Sequence, residues 1–283
     1  LQGKIVTKDL LENGYSVLLC GRDRSRIEHL LKKYKKTDFE YVDLRDINHA
    51  TKIIKNSGAD VTITCAEEDW DLNALKASAK ARAHNLDLGS EIPMTRDQLA
   101  MDNFLRKKGL LHITGCGSVP GIGNVMLRHA AEKFDTLDSI DVGYAWNSNI
   151  KKFVVPFSIQ TILSEFTAPA TNLENGKVLR IIPLDTIRDY CDKFVGEEKL
   201  FCVRHPETYT FYRYFKDKGL KTVRFYAEFP PHSFEKIMAM LDLGLGSKKE
   251  INFNGVKIKP VEFLTEVLKK IKIPKGYKEK EDL

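Results

Sequence analysis

A turn rich in glycine and proline, followed by an apolar helix, is the segment of this sequence best suited to chemistry. It reads Gly115-Cys116-Gly117-Ser118-Val119-Pro120-Gly121-Ile122-Gly123-Asn124 and follows a short apolar strand predicted at residues 110–114. Backbone N–H groups at a helix start attract carboxylates and amides. We therefore predict that Gly117, Pro120, Gly121 and Asn124 bind substrate and that Cys116 lies beside a cofactor.

Asp87 is a candidate for proton transfer. It lies in a short strand predicted at residues 86–88, and ligands of open α/β sheets bind beyond the carboxyl ends of the strands. Its carboxylate could accept a proton or hold a substrate ammonium group. It could equally cap a helix, and the sequence leaves both possibilities open.

The elements that must position these residues alternate between apolar strands and helices over the first 128 residues. This order is typical of a parallel α/β sheet. The chain begins with a helix predicted at residues 3–11, and a strand follows at 15–19. That is the middle of a βαβ unit without its opening strand, so we expect that residues precede Leu1.

The ends of these strands supply the candidate cofactor residues. Gly3 would be the last glycine of a dinucleotide-binding fingerprint, with Leu1 and Gln2 at its variable positions, although an ordinary helix start has the same pattern. The other candidates follow strands further along the chain: Gly21, Arg22, Asp23, Asp43, Leu44, Thr64, Cys65, Ala66 and Gly89.

The loop after the strand at 15–19 favours NADP over NAD. NAD sites place an acidic residue at this strand end to bind the ribose, whereas Arg22 and Arg24 flank Asp23 here. A guanidinium group can form paired hydrogen bonds with a 2′-phosphate, and Gly21 leaves room for one. Asp23 could instead cap the next helix, or bind the ribose and make the site specific for NAD.

A second domain is predicted beyond residue 136, where strands become longer and richer in aromatic and β-branched residues. Irregular segments rather than regular helices separate them, which indicates a mixed or antiparallel sheet. We place a dinucleotide-binding domain at 1–128 and a substrate and dimerisation domain at 129–251. The C-terminal segment at 252–283 could pack back on the first domain.

The composition of the chain argues against nucleic-acid and membrane partners. The formal net charge is +6, but the basic runs lack the interleaved aromatic residues on which nucleic-acid bases stack. No apolar run approaches the roughly 20 residues of a membrane span.

The five cysteines contain no CxxC pair, so we predict no metal site and a reducing, cytoplasmic location. We expect neither a nucleic-acid nor a membrane partner.

The segment GCGSVPGIGNVML resembles the G-x-x-PG-x-x-N turn of the saccharopine dehydrogenase-like oxidoreductases, particularly the lysine 6-dehydrogenase branch. Further matches follow in order: IQTILSEFTAPA, NGKVLRIIPL, VRHPETYTF, GLKTVRFYAEF and FEKIMAMLDLGLGSKKEINFNGVKIKPVEFLTEVL. The resemblance covers nearly the whole chain. It implies a Rossmann domain with an inserted α/β substrate domain of mixed sheet. It also implies that Arg204 and His205 lie at the substrate, although RHPE stands where relatives often have a His-Ser-Glu-like run.

The activity implied by the resemblance is hydride transfer between NADP or NAD and a C–N bond of an amino acid or imine. Asp87 or His205 would then handle the proton on nitrogen. The main expectation is a lysine 6-dehydrogenase-like or saccharopine dehydrogenase-like activity in a homodimer. The alternatives are a reductive condensation like that of carboxynorspermidine dehydrogenase, or a nicotinamide-nucleotide-binding protein without turnover.

Overall fold

The computed structural model of the chain describes residues 2–89, 91–155, 159–193 and 196–282. They divide into two compact units, Leu1–Met126 and Leu127–Leu283. The division lies two residues before the boundary predicted at 128/129.

The first unit alternates strands and helices and builds parallel sheets. Its strands are β1 Val17–Gly21, β2 Thr37–Tyr41, β3 Val61–Thr64, β4 His84–Asp87 and β5 His112–Ile113. Its helices are α1 Gln2–Glu12, α2 Glu28–Lys33, α3 Ile47–Ser57, α4 Asp71–Ala81, α5 Ile92–Leu99 and α6 Asp102–Lys107, and α7 Ile122–Ala131 begins in this unit. β1 pairs with β2, and β4 pairs with β3 and β5, all in parallel. The parallel α/β arrangement predicted from the sequence is confirmed.

Helix α3 shows how local sequence sets an element in this unit. Asp46 accepts a hydrogen bond from the His49 N–H at the helix start, at 2.9 Å. Gly58 ends the helix in the left-handed conformation, with φ 65°. Between these caps the fully buried Ala50 packs in one apolar cluster with Ala77 of α4, so small side chains let the two helices approach closely.

The second unit is built on a mixed sheet. Its strands are β6 Ser139–Ser148, β7 Ala170–Glu174, β8 Lys177–Ile181, β9 Arg188–Asp192, β10 Gly196–Cys202, β11 Thr222–Ala227, β12 Ile251–Phe253, β13 Val256–Ile258 and β14 Glu279–Asp282. Its helices are α8 Ile159–Thr167, α9 Glu207–Phe215, α10 Pro231–Asp242 and α11 Pro260–Leu268. The strand order is β14-β6-β11-β10-β9, and β7 joins the sheet through β11 and pairs with β8. β6 and β11 run parallel and the other pairs run antiparallel, so the predicted mixed sheet is confirmed.

The prediction that irregular segments separate these strands is wrong for α8 and α9. Helix α9 has an acidic first residue, Glu207, which suits the positive end of a helix. Phe211 and Phe215 are four residues apart, and both are buried against Val223 of β11. A helix of nine residues is short, and its many aromatic residues are not typical of helices, so the sequence pattern did not predict it.

An aromatic cluster under α8 forms part of the core of the second unit. The Phe166 ring centroid lies 4.9 Å from that of Phe201, 5.0 Å from that of Phe229 and 5.6 Å from that of Phe234. Tilted aromatic pairs at these separations are attractive beyond the area that they bury. The cluster joins α8 and α10 to β10 and to the segment after β11.

The C-terminal segment packs within the second unit. Helix α11 contacts α8, and β14 pairs antiparallel with β6. Within the residues that the structure describes, no helix is both long enough and apolar enough to cross a membrane.

Candidate functional site

The carboxyl ends of parallel strands bring predicted site residues together within the first unit. Thr64 at the end of β3 lies beside Asp87 at the end of β4, and Gly21 at the end of β1 lies beside Tyr41 of β2. Cys65 and Ala66, which follow β3, extend the same edge as Thr64.

The start of helix α1 approaches the end of β3. A Cβ atom added at Gly3 would lie 3.4 Å from the Cβ of Cys65, which is van der Waals contact. Burial raises the pKa of the Cys65 thiol, and the nearby Asp71 carboxylate raises it further. Cys65 is therefore a packing residue rather than a thiolate. Gln2 is exposed in the first turn of α1, and the predicted cofactor residue Leu1 lies outside the described residues.

The loop after β1 presents arginine side chains while its acidic residue is engaged locally. Asp23 caps the short helical turn Arg24–Ile27 and accepts hydrogen bonds from the Ser25 N–H at 2.9 Å and the Ser25 hydroxyl at 2.6 Å. These bonds lower the pKa of Asp23. The capping alternative for Asp23 thus has a structural basis, and Arg22 is exposed next to it.

The loop after β2 is organised by an ion pair. Asp43 accepts hydrogen bonds from the Arg45 side chain and from the Arg45 N–H, and these bonds lower the pKa of Asp43 to about 2. The charge of Arg22 lowers this pKa slightly further, so Arg22 and Asp43 belong to one electrostatic environment. Leu44 packs against α3 and α4, and its carbonyl accepts a hydrogen bond from Asn73 at 3.0 Å.

Asp87 has no exposed surface, and its carboxylate binds donors from three segments. Oδ1 accepts from the Gly89 N–H at 3.0 Å and from the Gly115 N–H at 2.9 Å. Oδ2 accepts from the Gln98 side-chain amide at 2.6 Å, and the Gln98 carbonyl accepts from the Thr114 hydroxyl at 2.8 Å. The surroundings of Asp87 therefore fit a structural carboxylate that joins neighbouring loops better than proton exchange with a substrate. It does not cap the following helix, whose N-cap residue is Glu91.

Two further buried groups extend this network. The His112 Nε2 lies 3.4 Å from the Asp87 Oδ2, and burial lowers the pKa of His112 against the opposing effect of that carboxylate. The Asn85 side-chain amide donates to the hydroxyls of Thr62 and Thr64, at 2.8 and 3.2 Å. Polar side chains thus fix the ends of β3, β4 and β5 to one another.

The glycine-rich turn satisfies its own backbone. The Gly117 N–H donates to the Pro120 carbonyl at 2.8 Å, and the Gly121 N–H donates to the Asn124 side chain at 2.9 Å. The Ile122 N–H in turn donates to the Gly117 carbonyl at 3.0 Å. The expectation that these amides face a ligand is therefore wrong for Gly117 and Gly121, because the turn itself uses them.

Glycine is required in this turn by close contacts. A Cβ atom at Gly121 would lie 1.9 Å from the Gly117 carbonyl oxygen, and the Gly121 φ of 135° is unfavourable for other residues. A Cβ atom at Gly115 would lie 2.5 Å from the Pro120 ring. The turn acts through its shape. Cys116 is exposed on it.

His205 lies in a fixed position within the second unit. Its ring stacks on Phe225 of β11, with centroids 3.9 Å apart and planes 9° apart. Its Nδ1 is in hydrogen-bond contact with the Oε2 of Glu207, which has no exposed surface. The Thr208 hydroxyl donates to the His205 carbonyl at 2.9 Å. Arg204, the preceding residue, is partly exposed.

A second polar pair lies near this ring. The Tyr144 hydroxyl donates to the Oε2 of Glu165 at 3.2 Å, and the Tyr144 ring centroid lies 6.1 Å from that of Phe225. The Phe225 ring is therefore a neighbour of two hydrogen-bonded groups, the His205–Glu207 pair and the Tyr144–Glu165 pair.

Glu228, directly after β11, is a buried acid that the sequence analysis missed. Its Oε2 accepts a hydrogen bond from the Trp146 N–H at 2.8 Å. Burial raises the pKa of Glu228 to about 8, and neighbouring Glu198 raises it as well, against the effects of the Trp146 N–H and of Lys151. The side chain is therefore mostly protonated at neutral pH.

Sequence reasoning also missed Gln98 and Glu207. Glu207 carried a signal, because it stands two residues after His205 at a Pro-Glu helix start. The sequence has no such signal for Gln98. Its hydrogen bond to Asp87, eleven residues earlier in the chain, depends on where α5 packs. Among the described residues, no group of three or more His, Cys, Asp or Glu side chains is placed to hold a metal ion.

Residues 117–282 match the model of the saccharopine dehydrogenase C-terminal domain. The chain belongs to the saccharopine dehydrogenase-like family. At the level of the family, this confirms the predicted class of enzyme, the oxidoreductases that act on C–N bonds.

A relative of this saccharopine dehydrogenase-like chain is named for an activity outside the lysine branch. The carboxyaminopropylagmatine dehydrogenase of Synechocystis sp. is 24% identical over 270 residues, which cover 91% of this chain and 67% of that protein. The finer prediction of a lysine 6-dehydrogenase branch is not supported by this relative.

Two solved structures share the fold. Saccharopine dehydrogenase (L-Glu forming) from Saccharomyces cerevisiae aligns with a TM-score of 0.67 and 15% identity, over 87% of this chain and 56% of that one. Homospermidine synthase from Legionella pneumophila, solved with NAD, aligns with a TM-score of 0.58 and 13% identity, over 81% and 62%. The chain thus spans less than two thirds of either structure. Nicotinamide dinucleotides are the cofactor class of the family.

Replacing Asp87 by Asn tests the structural role of its carboxylate. The new amide would direct a donor at groups that are themselves donors, which costs about 2–4 kcal/mol of unfolding free energy. Urea unfolding measures this loss. Asp102→Asn, an exposed residue paired with Arg106, should cost less than about 1 kcal/mol. An Asp87→Asn variant of unchanged stability would contradict the structural role.

Glu228→Gln should remove a pH dependence of stability. The folded-state pKa of Glu228 is raised from 4.5 to about 8, so the folded protein binds more protons than the unfolded chain in this window and loses stability as pH rises through it. As pH rises between those values, the unfolding free energy of the variant should increase relative to that of the wild type by up to about 1.4 kcal/mol per pH unit. Urea unfolding at several pH values measures the difference. Exposed Glu197→Gln is the control, and parallel curves for Glu228→Gln and wild type would contradict the prediction.

Proposed function

We propose that this chain is the nicotinamide-dependent core of an enzyme that joins a primary amine to an aldehyde with loss of water. The enzyme would then reduce the resulting imine to a secondary amine by transfer of a hydride and a proton. The aldehyde would carry an amino-acid group. The observation that carries this proposal is the match over 91% of the chain to a dehydrogenase whose name places a carboxyaminopropyl group on agmatine. The saccharopine dehydrogenase and lysine 6-dehydrogenase reactions remain the second candidates, supported by the family domain.

The first unit has residues that fit a dinucleotide. The space beyond Gly21 is open, since no atom lies within 4 Å of a Cβ atom added there. The start of α1 at Gln2 and Gly3 suits the pyrophosphate, because a helix N-terminus favours negative charge. Asp43 and Leu44 would border the adenine. The remaining residues of this binding surface would be Thr64, Cys65, Ala66, Gly89 and Cys116.

We infer a preference for NADP. Support comes from Asp23, whose carboxylate holds Ser25 instead of facing outward as a ribose ligand, and from the exposed Arg22 beside it. A 2′-phosphate would give Arg22 a charge-assisted, paired hydrogen bond.

The bound nicotinamide supplies hydride to the imine carbon, and the imine nitrogen needs one proton. His205 is the candidate to carry that proton at Nε2, because its Nδ1 contacts Glu207. Arg204 would bind a substrate carboxylate. Asp87 would hold the turn that contains Gly117, Pro120, Gly121 and Asn124. These turn residues, proposed to bind substrate, would act through the shape of the turn, because Gly117 and Gly121 use their backbone N–H groups within it.

We also propose that the protein works as a cytoplasmic homodimer. Exposed apolar side chains on and beside β8 and β9 support an interface, among them Val178 at 67% exposed and Ile182 at 61%. All five cysteines are unpaired, as is usual in a reducing compartment.

Turnover with matched substrate pairs tests the function. The full-length protein is mixed with NADPH, an amino-acid semialdehyde and either agmatine or a linear diamine, and oxidation of the cofactor is followed by absorbance. We expect oxidation only when amine and aldehyde are both present, with the secondary amine as product. Oxidation of lysine or saccharopine by NADP in their absence would instead favour the second candidates, and no turnover at all would reject both.

Arg22→Ala should separate the two cofactors. Loss of a paired contact to phosphate weakens NADPH binding by about 10- to 100-fold, whereas NADH binding should change by less than about three-fold. Fluorescence titration of both cofactors measures the ratio. Arg26→Ala, an exposed arginine of the same segment, is the control. Equal losses for both cofactors would contradict a role for Arg22 in reading the 2′-phosphate.

A further inference from the structure

We propose that Glu207 is the positioning residue of His205: its carboxylate holds the imidazole in one orientation and keeps a proton on Nδ1, so that Nε2 is the nitrogen that exchanges protons with the substrate. The exchange with substrate rests on the function proposed above. The pairing of the two side chains stands on geometry alone and can be tested without turnover.

The orientation of the ring is fixed from two sides. Phe225 covers one face of the imidazole at 3.9 Å, nearly parallel to it, so the ring cannot tilt without losing this contact. Glu207 contacts Nδ1 at the edge of the same ring. A ring flip would exchange the positions of Nδ1 and Nε2 and would break the contact with Glu207. The stack and the hydrogen bond together therefore select a single orientation.

The chemistry of a carboxylate selects the tautomer. An ionised carboxylate can only accept hydrogen bonds, so its partner nitrogen must carry the proton. The neutral ring then has its lone pair on Nε2, which is what a general base requires. The same constraint leaves Nε2 as the site that gains and loses a proton when the ring acts as an acid.

The surroundings of Glu207 make His205 its main partner. Glu207 has no exposed surface, and a buried carboxylate is tolerated only when donors or opposite charge compensate it. Among the residues that the structure describes, its Oε1 has no hydrogen-bond partner. Compensation comes from His205 and from the N-terminus of α9, of which Glu207 is the first residue.

In the reductive direction the proton balance is simple. The imine carbon gains hydride from the reduced nicotinamide, and the imine nitrogen gains the Nε2 proton of an imidazolium ring. His205 then regains a proton at Nε2 from solvent. The proton on Nδ1 stays bound to Nδ1 throughout and remains hydrogen-bonded to Glu207. Glu207 touches no reacting atom and acts only through His205.

Nuclear magnetic resonance tests the pairing directly. Long-range nitrogen–proton correlation spectra of ¹⁵N-histidine-labelled full-length protein, recorded at a pH where the ring is neutral, show which ring nitrogen carries the proton. His205→Asn assigns the signal. We expect an Nδ1-protonated tautomer in the wild type. In Glu207→Gln, where the amide can donate as well as accept, we expect this single tautomer to be lost. Thr208→Val, which removes a hydrogen bond to the His205 backbone only, should keep it.

Kinetics test the consequence. Glu207→Gln should lower kcat by about 10- to 100-fold with KM changed by less than about three-fold, and the Glu207→Gln/His205→Asn double variant should be no slower than His205→Asn alone, because the two residues act as a unit. A merely structural glutamate would lower activity additively and leave the tautomer unchanged.

The outcomes separate the two proposals. A wild-type enzyme without turnover on any substrate pair would reject the proposed function, while the spectra would still decide the pairing. An Nε2-protonated wild-type ring, or a tautomer that survives in Glu207→Gln, would overturn the inference. So would a Glu207→Gln variant that turns over at the wild-type rate.

Discussion

The buried carboxylate of Asp87 is the interaction on which the first unit's site depends. It has no exposed surface, so every polar contact that it needs must come from the protein. Gly89 and Gly115 meet it with backbone N–H groups, and Gln98 brings α5 against it. The neighbouring residue types follow from this. A Cβ atom at Gly89 would lie 2.5 Å from the Asp71 carboxylate, so a larger residue there would displace the Asp71 side chain.

Three buried carboxyl groups have different roles because their surroundings differ. Asp87 is surrounded by hydrogen-bond donors from three segments, which makes it a structural anchor. Glu228 meets one N–H and a neighbouring carboxylate, so burial prevails and the acid is kept protonated. Glu207 contacts an imidazole ring. In the inference above, this last environment couples a buried carboxylate to a group that can carry a proton to another molecule.

The sequence predicted best where a single constraint decides the structure. Strand β3 has the predicted bounds, Val61–Thr64, because a short apolar run between turns has few alternatives. Thr64 and Asp87 could be expected at one edge because parallel strands end there together. One predicted helix at residues 95–107 is instead two, Ile92–Leu99 and Asp102–Lys107, since a pattern of spacing does not show where the axis changes. The stacking of His205 on Phe225 depends on the packing of β11, which no local pattern encodes.

The turn at residues 115–124 has a consequence for how substrate is recognised. The sequence predicted that its backbone amides face a ligand, yet Gly117 and Gly121 donate theirs within the turn. Neither of these two amides is therefore left for an anionic group of the proposed substrate. Arg204, next to His205, is the side chain proposed above to bind such a group. Side chains can change without disturbing a fold, whereas backbone amides of a self-satisfied turn cannot. Family members that share this turn can therefore differ in substrate, and the differences are expected among residues such as Arg204 and Tyr144.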